Sequence, residues 1–252
     1  MQQLKPISLD QLEPCPYLPG RQKQYEYFYA VSLSGTELAG LLAAGWRKFG
    51  PYFFRPACPG CQRCVPVRVP VADFKLSRSQ RRVLRRNQDL AVRFGPLQYT
   101  ERIFQLYREH SRQRFGAESS LDDFASYFYL PSCPVLQLEV FLGDQQLGVG
   151  FLDRASDALS SVYYCFDPAY SERGLGIFGA LQEIEQARQL GLDYYYLGYL
   201  VNGCTSMHYK DHFRPRQYFA WNTGQWQEVT APPISLAAER PSAVNLPGSA
   251  AP

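Results

Sequence analysis

Hydrophobic residues recur along the middle of the chain with the two spacings that distinguish helices from strands. Apolar positions three and four residues apart indicate helices, and apolar positions that alternate with polar ones indicate strands. Thr100, and Ser119 or Ser120, are suitable N-caps for two helical stretches, and Pro131 cannot continue the second. The predicted elements are, in order, helices over residues 100–115 and 120–130, a hairpin of strands over residues 135–142 and 146–152, and a third strand over residues 159–166.

The chain then continues with a strand, a glycine-bearing loop, an amphipathic helix and another strand. Their sequences are SSVYYCF, DPAYSERGLG, IFGALQEIEQARQL and, after a glycine, LDYYYLGYL. One helix face is apolar and is expected to pack on the sheet, whereas the polar residues are expected to point away from it. The apolar face comprises Ile177, Phe178, Leu181, Ile184 and Ala187, and the polar face comprises Gln182, Glu183, Glu185, Gln186 and Arg188.

The first 75 residues have a different character, because they are rich in proline, glycine, cysteine and aromatic residues. Runs typical of strands occur over residues 25–33 and 65–71, and a short helix capped by Ser34 or Thr36 is expected within residues 34–45. The last residues have few large apolar groups that could pack. The sequence therefore predicts a Cys-containing β-rich lobe over residues 1–75, a larger domain over residues 76–231 and a flexible tail over residues 232–252.

The order of these elements predicts an α+β fold, in which helices flank a mixed sheet. It resembles the acetyltransferase (GNAT-like) fold, in which a turn of the Ser-Glu-Arg-Gly-Leu-Gly kind holds a pyrophosphate. Gly174 and Gly176 in this turn let the backbone approach a ligand and expose amides at a helix N-terminus, which suits phosphate. A tight strand-to-helix turn that simply requires glycine is the alternative.

The composition indicates the class of protein, but it says little about the function. Of the 252 residues, 46% are hydrophobic and 15% aromatic, which is enough for a folded protein with a sizeable core. Charged residues, glycine or proline interrupt each apolar stretch before it reaches the roughly 20 residues of a membrane span. The N-terminus also lacks the pattern of a secretory signal. We therefore expect a cytoplasmic protein with no membrane partner.

Positive charge is concentrated in one segment. Over the whole chain lysine and arginine exceed aspartate and glutamate by 3, yet residues 75–86 hold six basic residues and no acidic one. Such a segment would bind the phosphates of a polyanion, and a solvated helix face is the alternative. Its arginines are Arg78, Arg81, Arg82, Arg85 and Arg86.

The cysteines have a spacing that would suit a metal. The chain has seven cysteines, an odd number that disfavours a fully paired disulfide framework. Cys58, Cys61 and Cys64 are spaced like thiolate ligands, and Cys15 would supply a fourth. The sequence therefore admits a zinc ion or an iron–sulfur cluster, with buried structural thiols as the alternative.

Four long motifs, in order along the chain, are similar to those of a known family. They are CPYLPGR (residues 15–21), GWRKFGPYFFRPACPGCQRCVPVRV (residues 45–69), FKLSRSQRRVLRRN (residues 74–87) and YYYLGYLVNGCTSMHYKDHFRP (residues 194–215). Together they resemble the arginyl-tRNA–protein transferase family, and most closely its short bacterial branch, the aspartate/glutamate leucyltransferases. The resemblance extends over about residues 10–220.

This resemblance implies an enzyme that moves an amino acid from its tRNA to proteins that begin with Asp or Glu, marking them for degradation by the N-degron route. The short bacterial pattern implies leucyl-tRNA as the donor, with arginyl-tRNA as the alternative. No cofactor is required, because the free α-amine of the acceptor attacks the ester of the aminoacyl-tRNA directly. Eukaryotic members carry a second cysteine soon after the first, which the segment around Cys15 lacks. A cluster of the eukaryotic kind is therefore not implied.

The resemblance also suggests a role for particular residues. The arginines of residues 78–86 would hold tRNA phosphates. The acidic side chain of the acceptor calls for a cation, and Arg21 and Arg47 are preferred over Lys23 and Arg55. The candidates for orienting the ester or carrying a proton are Tyr199, Lys210 and Asp153.

Two other functions compete with this one. A coenzyme A-dependent N-acetyltransferase would use the turn at Gly174 but leaves the arginines and the cysteine motif without a role. A non-catalytic RNA-binding module would use the arginines and the aromatic residues, and would not transfer an amino acid.

Overall fold

The computed structural model describes residues 1–116 and 118–228, and the predicted tail lies outside them. The helices are α1 (Gly35–Ala43), α2 (Arg78–Arg86), α3 (Glu101–Phe115), α4 (Leu121–Phe128) and α5 (Leu175–Gln189), with 3₁₀ helices at Pro168–Arg173 and Thr205–His212. The strands are β1 (Gln2–Leu9), β2 (Glu13–Pro14), β3 (Gln22–Lys23), β4 (Tyr25–Val31), β5 (Arg47–Phe49), β6 (Tyr52–Pro56), β7 (Cys64–Pro70), β8 (Ala91–Gly95), β9 (Val135–Leu142), β10 (Gln145–Arg154), β11 (Ala158–Phe166), β12 (Tyr194–Val201), β13 (Gln217–Ala220) and β14 (Gln225–Glu228). None of the described helices combines the length and the hydropathy that a membrane span requires.

Three sheets organise these strands. The largest has eight strands in the order β14-β13-β7-β12-β11-β10-β9-β8. Within it β11 and β12 run parallel, and the other neighbouring strands are antiparallel. A four-stranded sheet has the order β1-β4-β6-β5, and β2 pairs with β3. The prediction of an α+β fold with a mixed sheet flanked by helices is therefore confirmed.

Both faces of the eight-stranded sheet are covered. On one face α5 packs beside α2, and Phe178 and Leu181 bury their side chains there. On the other face α3 and α4 pack through an aromatic core that includes Phe124 and Phe151. The four-stranded sheet and α1 enclose a third core around Trp46. The large sheet is thus held between helices, with the four-stranded sheet packed against it.

Helix starts agree with the N-caps expected from the sequence. The side-chain oxygens of Ser34, Thr100 and Ser120 each accept a hydrogen bond from the backbone amide three residues later. These bonds satisfy amides that have no partner within the helix. The starts of α1, α3 and α4 are therefore set by local sequence.

The strand β7 joins the larger sheet. It lies between β12 and β13, although residues 65–71 are predicted from the sequence to belong to the N-terminal lobe. Val67 and Val69 in this strand are fully buried. A short, fully buried run shows that a strand is present but not which sheet it pairs with, because pairing depends on contacts far along the chain.

The prediction that Glu183 on α5 points away from the sheet is wrong. Its side chain does not point away from the sheet and is only 1% exposed. The hydroxyl of Tyr195 on β12 donates a hydrogen bond to it, and burial raises the pKa of Glu183 to about 7. The hydrogen bond from Tyr195 therefore allows this polar side chain to be buried against the sheet.

Candidate active site

The strands β11 and β12 lie side by side in the middle of the large sheet but pair over only part of their length. They have nine and eight residues, and their parallel register joins three residue pairs, the last of them Ser160 with Tyr196. Just beyond this pair each strand has an irregularity, at Val162 opposite β10 and at Leu197 opposite β7. The two strands therefore part and leave an opening in the sheet, which we call the strand cleft.

Two cations meet at the strand cleft beside Gly198 of β12. This glycine has a φ of 86°, and a Cβ added to it would lie 3.3 Å from Nζ of Lys210 and 3.5 Å from Nη2 of Arg47. Lys210, on the second 3₁₀ helix, donates to the carbonyl oxygen of Tyr199 at 2.8 Å. Arg47, on β5, donates to Oγ of Ser160 at 2.7 Å. Elements distant in sequence thus bring two positive side chains to one place.

The pKa of Lys210 suits a proton acceptor. Burial, together with the positive charges of Arg47 and Arg114, lowers the pKa of Lys210 to about 7. Near neutral pH a large fraction of this side chain is therefore a free amine, which is the form that accepts a proton. Burial lowers the pKa of Arg47 too, but a guanidinium stays charged in proteins.

The hydroxyl of Tyr199 is engaged by the N-terminal part of the chain. It donates to the carbonyl oxygen of Gly45 at 2.8 Å and to that of Phe54 at 3.3 Å. Burial raises the pKa of Tyr199, so the phenol stays protonated. The group that touches Lys210 is the backbone carbonyl of Tyr199. Tyr199 thus holds Lys210 and anchors β12 to the first lobe.

Asp153 belongs to a buried ion pair. Its Oδ1 lies 2.8 Å from Nζ of Lys48, and the two side chains are 4% and 5% exposed. The thiol of Cys133 also donates to this oxygen at 3.4 Å. Burial alone would lower the pKa of Lys48, and the charge of Asp153 raises it. The structure therefore pairs Asp153 with Lys48 and does not bring it into contact with Lys210.

Replacing Lys48 with methionine is expected to destabilise the protein by about 3–5 kcal/mol, because it leaves the carboxylate of Asp153 buried without its partner. The free energy of unfolding in urea measures the effect. A Lys48→Met, Asp153→Leu double variant is expected to recover most of the loss, since no charge is then buried. A loss below about 1 kcal/mol in the single variant would show that the pair is solvated.

The basic helix α2 packs against the glycine turn that begins α5. The side-chain amide of Asn87 donates to the carbonyl oxygen of Arg173 at 2.9 Å, and a Cβ on Gly174 would lie 3.6 Å from Val83. Gly174 has a φ of 71°, and among the described residues no side chain caps the first amides of α5. The arginines exposed on α2 are Arg78, Arg81, Arg82, Arg85 and Arg86. All but Arg86 line an open depression of about 450 Å³.

The same turn also reaches the open end of the strand cleft. A Cβ added to Gly176 would lie 3.7 Å from the ring of Phe166, the last residue of β11. One surface therefore carries, one after another, the exposed arginines of α2, the glycine turn and the strand cleft.

The four predicted metal ligands Cys15, Cys58, Cys61 and Cys64 lie near one another. Burial, together with the nearby thiols of Cys58, Cys15 and Cys61, raises the pKa of Cys64 to about 12. Within residues 1–116 and 118–228 no group of three or more His, Cys, Asp or Glu side chains is arranged to hold a metal ion. The binding of zinc or of an iron–sulfur cluster by these four thiols therefore stays a prediction from the sequence.

Arg21 is exposed on the turn between β2 and β3. Its carbonyl oxygen accepts a hydrogen bond from the amide of Cys15 at 2.9 Å. Leu18 in the same turn is buried, and a Cβ on Gly203 would lie 3.3 Å from it. The turn therefore packs beside the loop that leads from β12 to Lys210.

Comparison with known proteins shows the family. The family model described as "Arginine-tRNA-protein transferase, N terminus" matches residues 13–82, and the one described as "Arginine-tRNA-protein transferase, C terminus" matches residues 101–220. The chain belongs to the arginine-tRNA-protein transferase family. Both matched segments of the transferase contribute to the strand cleft, since Arg47 lies in the first and Lys210 in the second.

The curated relatives of this transferase include the aspartate/glutamate leucyltransferases of three organisms. That of Chromobacterium violaceum is 39% identical over 86% of this chain and 90% of its own. That of Thiobacillus denitrificans is 37% identical over 86% and 92%, and that of Pseudoalteromonas atlantica is 34% identical over 89% and 97%. Among solved structures, FemX is similar with a TM-score of 0.41 and 12% identity, covering 65% of this chain and 60% of FemX.

Proposed function

We propose that this chain transfers leucine from leucyl-tRNA to the N-terminal Asp or Glu of acceptor proteins, and so marks them for degradation by the N-degron route. The names of its relatives support both the donor and the acceptor. The parted strands β11 and β12, with a glycine turn before α5, support a GNAT-like version of the fold. The proposal depends above all on one observation: the α2 arginines, the turn at Gly174 and the strand cleft lie along one surface.

The donor tRNA would lie along this surface. The arginines of α2 neutralise backbone phosphates, as exposed guanidinium groups do without reading sequence. The amides at Gly174 and Gly176, at the positive end of α5, suit a phosphate near the 3′ end of the tRNA. The aminoacyl ester then extends past Phe166 into the strand cleft.

The reaction in the strand cleft joins two substrates without a covalent enzyme intermediate. The α-amine nitrogen of the acceptor forms a bond to the carbonyl carbon of the ester, and the bond from that carbon to the ribose oxygen breaks. Lys210, as the free amine, takes the proton that the attacking nitrogen loses and then gives it to the departing ribose oxygen, so that the lysine is a free amine again when the reaction ends. The guanidinium of Arg47 stabilises the negative charge on the carbonyl oxygen.

The remaining predicted residues would have supporting roles. Tyr199 positions Lys210 through its carbonyl oxygen, and Asp153 stabilises the fold through Lys48. For the acidic side chain of the acceptor, Arg47 supplies positive charge in the floor of the strand cleft and Arg21 supplies it on the neighbouring turn.

Purified protein is expected to add one leucyl residue to peptides that begin with Asp or Glu, and not to a peptide that begins with Ala. Leucyl-tRNA and arginyl-tRNA are offered separately, and the mass of each peptide reports the product. We expect transfer with leucyl-tRNA. Transfer from arginyl-tRNA alone would contradict the donor, and intact aminoacyl ester with either tRNA would contradict the function. Acetylation of the peptides by acetyl-coenzyme A would favour the acetyltransferase instead.

A further inference from the structure

Gln80 is the buried residue of the basic helix α2. Its side chain is 3% exposed, although the arginines around it face solvent. The amide of Ser77 donates to Oε1 of Gln80 at 2.8 Å, and the amide of Gln80 donates to Oγ of Ser77 at 3.2 Å, so that the two residues cap the start of α2. The side-chain nitrogen of Gln80 then donates to the carbonyl oxygen of His212 at 3.2 Å. One end of this side chain therefore caps its own helix, and the other binds a segment 132 residues away.

The start of α1 shows that such a cap does not require glutamine. There Glu37 takes the position of Gln80, and its carboxylate accepts a hydrogen bond from the amide of Ser34 at 2.9 Å. A glutamate at neutral pH has acceptors alone, whereas the amide of a glutamine has an acceptor and two donors. The donor that glutamine adds is the group that binds His212. The bond to His212 therefore distinguishes Gln80 from a residue that only caps a helix.

His212 ends the 3₁₀ helix that carries Lys210, and it lies two residues beyond that lysine. The segment that leads into α2 holds the next residue as well. Phe213 is fully buried, and its ring stacks on that of Phe74 with the ring centroids 6.3 Å apart. The start of α2 is therefore packed against the end of the helix that presents Lys210.

The end of this 3₁₀ helix is also fixed from the side of β13. Asp211, next to Lys210, is buried and forms an ion pair with the buried side chain of Arg216. The hydroxyl of Tyr218 on β13 donates to Asp211, and Nε of Arg216 donates to that hydroxyl at 3.0 Å. These bonds tie the helix to the large sheet. Gln80 thus joins α2 to a firmly held support of Lys210.

The helix α2 thereby connects two parts of the proposed transfer site. At its C-terminal end Asn87 binds the turn before α5, and near its N-terminal end Gln80 binds the 3₁₀ helix of Lys210. The nine residues of α2 extend over about 13 Å, and its exposed arginines are spread along that length. Contacts to phosphates set the register of a nucleic acid on a protein. The register of a tRNA on α2 therefore becomes its register relative to Lys210.

We propose that Gln80 is a positioning residue, which holds α2 in register with Lys210 so that a tRNA bound to the arginines presents its aminoacyl ester to the lysine amine. This inference rests on the proposed transfer from aminoacyl-tRNA. A misplacement of about 1 Å can lower the rate of an enzymatic reaction by about 10²-fold. Loss of the bond to His212 should therefore slow transfer without releasing the tRNA.

Gln80→Glu isolates this bond, because it keeps the oxygen that caps α2 and places an acceptor opposite the carbonyl of His212. With saturating leucyl-tRNA and a peptide that begins with Asp, we expect the single-turnover rate to fall by about tenfold or more, while Kd for leucyl-tRNA changes by less than about twofold. Gln80→Met, a neutral side chain of similar length without a donor, should slow transfer to the same extent. It guards against unfolding caused by a buried carboxylate.

Ser77→Ala is the matched control, since it removes the hydroxyl of the same cap and leaves the bond from Gln80 to His212 in place. We expect the Ser77→Ala variant to keep the wild-type single-turnover rate within about twofold. An equal loss of rate in Ser77→Ala and Gln80→Glu would overturn the proposal, because a weakened helix start would then explain both.

A double-mutant cycle separates the positioning of tRNA from a general effect on the fold. With Arg82→Gln and Arg85→Gln also present, α2 holds the tRNA less firmly, and Gln80→Glu should then lower the rate by no more than about threefold. The same fold-loss with and without the two arginines, or a wild-type rate in Gln80→Glu, would overturn the proposal even if the wild-type enzyme transfers leucine. Absence of transfer by the wild type would instead contradict the function itself.

Discussion

Replacing Lys210 with methionine is expected to lower kcat for leucyl transfer at pH 8 by about 10²–10⁴-fold, the range for loss of a general base. The effect follows from the position of Lys210 at the strand cleft and from burial, which lowers the pKa of Lys210 to about 7. Lys210→Arg is expected to be similarly slow, because a guanidinium still donates to the carbonyl of Tyr199 but does not release its proton. Single-turnover rates with saturating tRNA and peptide measure the loss.

The pH dependence separates Lys210 from the acceptor amine. The free amine of Lys210 is the active form, so the wild-type rate falls as the pH drops through about 7. The acceptor α-amine, with an ordinary pKa of about 7.7–8.0, adds a second fall in the same direction. The Lys210→Met variant should show only the fall in rate that comes from the acceptor α-amine. Lys5→Met, on the exposed strand β1, is the control for a lysine outside the cleft. A methionine variant that keeps both inflections and nearly full rate would exclude Lys210 as the base.

Removing two arginines from α2 is expected to weaken tRNA binding by at least about tenfold at low salt and to flatten its salt dependence. Each lost phosphate contact should reduce the slope of log K against log salt by roughly 0.7–0.9. The change is made at Arg82 and Arg85, because Arg81 and Arg86 also donate to the carbonyl oxygens of Leu76 and Glu172 within the protein. Equilibrium binding of leucyl-tRNA to the Arg82→Gln, Arg85→Gln variant at several salt concentrations measures both quantities.

The control for this variant removes two exposed arginines elsewhere, with Arg93→Gln on β8 and Arg154→Gln on β10. The net charge of the two double variants is then the same. If both weaken tRNA binding equally, the attraction comes from the overall charge of the protein. Unchanged affinity and slope in the α2 variant would remove α2 from the tRNA surface.

Elements that depend on residues close together in the chain could be predicted from the sequence. The N-cap at Thr100 and the hairpin of β9 and β10 form as predicted. Each depends on side chains within a few residues of the backbone they cap, pack or expose. The strands β1, β8, β13 and β14 were not predicted, and their short or exposed segments carry little hydrophobic alternation.

The strand cleft could not be predicted from the sequence. It exists because β11 and β12 part after Ser160, and no local pattern states where two parallel strands stop pairing. Lys210 was proposed from a motif, but its burial beside Arg47 depends on a contact 163 residues apart in the chain. Ser160 was not singled out, since nothing nearby in sequence marks its approach to the cleft. Asp153 was proposed as catalytic, and its pairing with Lys48 is likewise a long-range contact.

A structure of the protein with a non-hydrolysable analogue, adenosine that carries leucine in amide linkage at the 3′ position, would locate the reacting group. We expect the leucyl carbonyl carbon to lie in the strand cleft between β11 and β12, within about 4 Å of Nζ of Lys210, close to the distance at which reacting atoms are held. The adenosine should lie toward Gly176 and α2. An analogue bound elsewhere, with Lys210 left in contact only with the carbonyl oxygen of Tyr199, would contradict the placement of the reaction in the strand cleft.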